Sequence, residues 1–152
     1  MIEDVKAFHE KFGLEGNKYP DFLNQPISLM KLNHLLEEFL ELANAMGYQL
    51  RVEEDKVFIA AHKQLIEQAD LELTLDALVD MQYVLLGLVH LMGFSKYINN
   101  SKLDGTVWEE AFARVHFANM QKVRGQTKRG SDFDVMKPEG WEPPYLKDLL
   151  NG

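Results

Sequence analysis

The chain has 152 residues, 24 acidic against 16 basic side chains for a formal net charge of -8, a hydrophobic fraction of 46% and no cysteine. That length and apolar content suffice for one domain with a real core, so a single domain over 1–152 is expected. The acidic balance argues against a non-specific hold on nucleic acid, and the lack of thiols excludes disulfides, thiolate-bound zinc, iron–sulfur clusters and cysteine nucleophiles.

The first residues, Met1 to Lys6, have neither the basic start nor the apolar run of a signal peptide. Val5 to Phe12 predicts a short helix stopped by Gly13, and Pro20 and Pro26 mark a loop over 16–26. Ser28 is the expected N-cap of a long helix. Its Leu29, Leu32, Leu35, Leu36, Phe39, Leu42, Ala43 and Met46 recur at a helical period, and Gly47 ends it. Residues 48–72 are ambiguous: Gln49 to Val52 and Lys56 to Ile59 have strand character, yet Ala60 to Ala69 favours helix, and helix is the expectation adopted.

Thr74 is expected to cap the next helix, which carries Leu75, Leu78, Val79, Tyr83, Leu86 and Val89 and stops at Gly93. The longest apolar stretch, Val84 to Gly93, is interrupted by His90 and too short to span a bilayer, so a soluble cytoplasmic protein without a membrane partner is expected. Thr106-Val107-Trp108-Glu109 has the form of a capping box, opening a helix through Ala111, Phe112, Val115 and Met120. From Gly125 onward glycines and prolines make 125–152 a loop-rich tail, with a final helical turn at Leu146 to Leu150. The sum is an all-α bundle of four to five helices.

Two acidic clusters lie inside these periodic runs: Glu37, Glu38 and Glu41 on one helix, Asp76 and Asp80 on another. Glu37 and Glu41 differ by about 40° around the axis, Glu38 and Glu41 by about 60°, and Asp76 and Asp80 by about 40°, so each cluster points one way. Leucines flank them, and no lysine or arginine lies between Lys31 and Arg51 or between Lys63 and Lys96. Carboxylates gathered beside a low-dielectric core repel one another unless cations compensate them, and hard oxygen-seeking divalent ions such as Mg²⁺ fit. A solvated acidic helix face gives the same spacing.

A di-iron bundle would need Glu-x-x-His, which is absent, as are the P-loop, HExxH, GxSxG and dinucleotide glycine patterns. Phosphate handling would then rest on metal and basic side chains. Asn119, Lys122, Arg124, Lys128, Arg129 and Lys137 gather late in an otherwise acidic chain, which suits anion binding; cations at a helix C-terminus are also favoured by the dipole. The five histidines show no metal-ligand spacing, although His34 lies one turn before Glu37 and Glu38. Trp141 is placed to pin the tail.

The segment Glu37-Glu38-Phe39-Leu40-Glu41 resembles the EExxE motif of the MazG-like all-α nucleoside triphosphate pyrophosphohydrolases. Asp80 to Gly87 resembles the acid, aromatic and glycine of that family's next long helix. Ala111 to Lys122 resembles the helix ending in Asn-x-x-Lys, and Lys137 to Pro144 the tail of bacterial and phage-type, dUTPase-like members. The likeness runs from about Val5 to Pro144. One departure stands out: Ala77 occupies the place where the family commonly has glutamate, with Asp76 one position earlier as the substitute.

The resemblance implies hydrolysis of a (deoxy)nucleoside triphosphate to the monophosphate and pyrophosphate, with Mg²⁺ or Mn²⁺, in nucleotide-pool house-cleaning. It assigns the metal to Glu38, Glu41, Asp76 and Asp80, the attacking water to Glu37, and nucleotide contacts to Asn119, Lys122, Lys128, Arg129 and Lys137, with the tail closing over the site. It further implies a homodimer or homotetramer. Two alternatives stay open: a phosphoribosyl-nucleotide pyrophosphohydrolase, and a non-catalytic helical module that binds metal or nucleotide, which Ala77 keeps in play.

Overall fold

A computed structural model describes residues 1–54, 56–98, 105–125 and 135–150. Among these the chain is mostly helical: α1 (Ile2–Lys11), α2 (Gln25–Ala45), α3 (Lys63–Glu67), α4 (Leu71–Leu91) and α5 (Val107–Met120). Two antiparallel strand pairs accompany the helices, β1 (Tyr48–Glu53) with β2 (Lys56–Ala61) and the two-residue β3 (Val123–Arg124) with β4 (Val135–Met136). A 3-10 turn, Lys147–Leu150, supplies the final helical turn expected there. The all-α class with a loop-rich C-terminal part is what the structure has. Two compact units are formed, 1–17 with 21–92, and 18–20 with 93–152.

In the first unit, α2 packs against α4, and α1 lies on α4. Asn24, not Ser28, caps α2: its side-chain oxygen accepts the Ile27 N–H at 3.1 Å. Pro26, whose fixed φ suits a first turn, sits just inside that cap. Ser28 is already helical, and its hydroxyl donates to the Leu23 carbonyl at 3.2 Å. Gly47 ends the helix at φ +90°, where a Cβ would lie 2.7 Å from the Ile66 Cα.

β1 and β2 pair antiparallel, which corrects the helical expectation for that stretch. Leu50 pairs with Ile59 and Val52 with Val57, so the β-branched and leucine positions alternate onto one face while Gln49, Arg51, Glu53 and Lys56 take the other. The helix-friendly run beyond them yields only the five-residue α3. α4 begins one turn earlier than Thr74 suggests: Asp70 accepts the Glu72 and Leu73 N–H groups at 2.8 and 3.1 Å. Thr74 sits inside the first turn with its hydroxyl on the Asp70 carbonyl.

At 21 residues, α4 meets the length and hydropathy of a membrane-crossing helix, which the shorter apolar run Val84 to Gly93 did not suggest. Glu72, Asp76 and Asp80 on it, and its packing against α1 and α2, suit a core helix. Val5, Ala43, Ala77, Leu86, Val89 and Leu91 are the buried apolar residues of this unit, together with His9 and His90. Within α1, His9 Nδ1 lies 2.8 Å from the Val5 carbonyl oxygen, and the ring stands 5.4 Å from that of His90 on α4.

The second unit is built around α5. The expected capping box is present: Thr106 Oγ1 accepts the Glu109 N–H at 3.2 Å, and the Glu109 carboxylate accepts the Thr106 N–H at 2.8 Å. Those bonds hold the Glu109 carboxyl below its usual range. Arg114 then braces the tail, donating to Glu110, the Tyr145 carbonyl and Asp148, each at 2.7 Å.

Candidate active site

The geometry starts from Glu38. It is half-buried on the face of α2 that meets α4, and its carboxyl is pushed above the usual range. Partial burial is the largest cause, followed by the negative charges of Glu41, Asp80 and Glu37; His34 opposes them weakly. Glu38 therefore joins the two clusters: it feels acids on its own helix and on α4. Asp80, not Asp76, is the α4 acid that acts on it. Asp76 is exposed and makes no hydrogen bond or ion pair among the described residues, and Ala77 beside it is 5% exposed.

Among the described residues no three acids converge on one point. The side chains of Glu37, Glu41 and Asp80 are exposed, and Mg²⁺ asks for only one or two carboxylates when phosphate oxygens and water complete its octahedron. A crowded, uncompensated carboxylate group fits a hard dication on charge, because bound positive charge would relieve the repulsion that raises Glu38.

Lys31 is a feature that the sequence reading passed over. Its ammonium is half-buried without an ion pair among the described residues, and burial lowers its pKa. Seven residues before Glu38 it falls about 20° from it around α2, roughly 10 Å along the axis. An i, i+7 scan of the stripe bearing His34, Glu38 and Glu41 would have found it.

The predicted nucleotide contacts lie in the second unit. Asn119 is exposed on the last turn of α5, and its carbonyl accepts the Lys122 N–H at 3.1 Å. Lys137 is exposed on the tail, and Lys128 and Arg129 fall outside the described residues. Trp141 does pin the tail, its indole N–H donating to the Ala118 carbonyl at 2.8 Å. An open groove of about 660 Å³ between α5 and residues 140–145 contains none of the predicted site residues. His9 is buried on α1, whereas Phe8 packs edge-on against Tyr83 and stays exposed.

Two long helices thus bring Glu38 under the charges of Glu41 and Glu37 from α2 and of Asp80 from α4. Residues 5–98 match the phosphoribosyl-ATP pyrophosphohydrolase family, and the chain belongs to that family, which lies within the MazG-like all-α superfamily. The matched span holds α1 from Val5 onward, α2 to α4 and every predicted acid; it ends before Asn119, Lys122, Lys128, Arg129 and Lys137. No curated relative matches the chain. The family supports the pyrophosphohydrolase class, and on substrate it favours the phosphoribosyl-nucleotide alternative over the general triphosphate.

Proposed function

We propose that the protein is a metal-dependent pyrophosphohydrolase acting on a phosphoribosyl nucleotide such as phosphoribosyl-ATP, cleaving between the α- and β-phosphates to release pyrophosphate. The observation that carries the reading is the raised Glu38 carboxyl, crowded by Glu41 and Asp80 from two helices, inside the family-matched span. Glu38, Glu41 and Asp80 would hold Mg²⁺ or Mn²⁺, with Asp76 assisting from the preceding turn. A divalent ion held by these residues would supply neutralisation of the phosphates and of the charge that develops on the breaking P–O bond. Glu37, exposed on the same helix, orients or deprotonates the attacking water. Asn119, Lys122, Lys128, Arg129 and Lys137 contact the nucleotide.

A nucleoside triphosphate is the second reading of the substrate, favoured by the dUTPase-like tail motif Lys137 to Pro144, which lies beyond the family match. A panel of phosphoribosyl-ATP and ribo- and deoxyribonucleoside triphosphates, assayed for pyrophosphate with and without Mg²⁺, separates the two. Phosphoribosyl-ATP turnover abolished by Asp80→Ala and only reduced by Asp76→Ala is the expected result. Nucleotide or metal binding with no turnover of any substrate would overturn the enzyme reading in favour of a binding module.

The homo-oligomer belongs to the same proposal. Leu29, Leu32, Leu36 and Phe39 of α2 are exposed at 3- and 4-residue spacing, as are Leu71, Leu75, Leu78 and Leu85 of α4 apart from the gap at Gln82. Two leucine-rich stripes with heptad spacing, left open on a protein that folds in water, suit the helices of a second copy.

A further inference from the structure

The second unit brings two positive charges to one indole, neither of them ion-paired among the described residues. In the β3–β4 ladder Val123 faces Met136 and Arg124 faces Val135, so the next position of the register sets Lys122 against Lys137. Like charges opposite one another across an antiparallel pair repel. Both ammoniums nevertheless lie at one indole: Lys137 Nζ is 4.3 Å and Lys122 Nζ 5.9 Å from the centre of the Trp141 ring. That ring is fixed by the hydrogen bond from its N–H to the carbonyl of Ala118, a buried residue of α5.

The electron-rich indole face attracts cations and so offsets part of the repulsion between them. Neither lysine forms an ion pair with a carboxylate among the described residues, although Glu139 and Glu142 flank Trp141 in the chain. In a protein with a net charge of -8, two ammoniums at one indole, without a carboxylate partner among the described residues, are a place for an anion. A lysine ammonium is a compact point charge with three donors, suited to phosphate oxygens.

We infer that Lys122 and Lys137 form a seat for a phosphate or diphosphate group and that Trp141 is its positioning residue. The seat's part in hydrolysis rests on the function proposed above; anion binding does not. Trp141 is also the reporter, since the chain has only two tryptophans and Trp108→Phe leaves it alone. Sodium pyrophosphate or inorganic phosphate is titrated into this variant in EDTA at constant ionic strength, which keeps the carboxylate helices from holding anion through metal.

The expected result is a saturable change in Trp141 emission that sodium chloride does not reproduce. Lys122→Met and Lys137→Met each weaken it about tenfold, the size of one lost charge-assisted contact. Calorimetry on chains retaining Trp108 gives the same order. There Trp141→Phe, which keeps a ring but loses the Ala118 bond, weakens binding less than Trp141→Leu. A response equal in the lysine variants, equal with chloride, or absent in both measurements overturns the seat. If the wild type hydrolyses nothing but still titrates, the proposed function fails and the seat stands; hydrolysis with unaltered titration in the lysine variants is the reverse.

Discussion

Replacing Glu38 by glutamine separates stability from function in opposite directions. The ionised carboxylate is opposed by burial and by the charges of Glu41, Asp80 and Glu37. Glutamine keeps the shape and removes the charge. At about 0.2–0.5 kcal/mol for each like-charge neighbour, with the adjacent Glu37 contributing least, the relief is about 1 kcal/mol, or about 2–4 °C in Tm for a chain of this size. Because the folded carboxyl titrates above its ordinary value, the ionised form destabilises the fold at neutral pH. That penalty disappears as pH falls through the raised value, so the two proteins converge toward about pH 4.

Differential scanning calorimetry in EDTA across that range reads the effect, and repetition in Mg²⁺ reads the other half. Metal that binds only the folded state raises the wild-type Tm, and the variant should gain much less while losing turnover. A variant that melts lower than the wild type in EDTA at neutral pH, or gains as much from Mg²⁺, would refute the account of Glu38 as a metal-seeking member of a crowded carboxylate group.

Ala77→Glu restores the family's more common residue at a buried position, so it should destabilise the metal-free protein by about 2 kcal/mol and recover part of that loss in Mg²⁺, measured by the same melts. Thr106→Ala removes the capping box and should cost about 1 kcal/mol by urea unfolding. Its share from Glu109, whose carboxyl is lowered, is present at neutral pH and lost as pH falls through that lowered value. Leu32→Glu combined with Leu75→Glu should convert an oligomer to monomer in sedimentation velocity, because both exposed stripes then carry charge.

The carboxylate pattern was legible because helical period and acid spacing are local properties: Glu37, Glu38, Glu41 and Asp80 needed only α2 and α4 to be helices. The capping box at Thr106 was legible for the same reason. Caps with competitors were not. Asn24 and Ser28 are both good N-cap residues, and Pro26 decides between them by favouring the first turn. The β1–β2 pair was missed because Ala60 to Ala69 outweighed the alternation of Leu50, Val52, Val57 and Ile59, although that alternation predicts the observed pairing. The position of Lys31 on the acidic stripe is contained in the spacing along α2, but its burial is not; the Lys122–Trp141–Lys137 grouping depends on a strand register between distant residues. The substrate was beyond the sequence motifs because the acids handle phosphate whatever nucleoside is attached.

The β1–β2 pair and α3 leave and rejoin the helix pair at one place: the Asp70 N–H donates to the Ala45 carbonyl at 3.0 Å, and the His62 N–H to that of Gly47 at 3.2 Å. Everything from 48 to 69 is thus an excursion with a closed neck. A change of length or sequence near Glu54 and Lys56, away from the neck and from the start of β1 that packs on α2, is therefore expected to leave the α2–α4 pairing in place. This makes the segment the natural place in the chain for a tag, a recognition module or an inherited insertion.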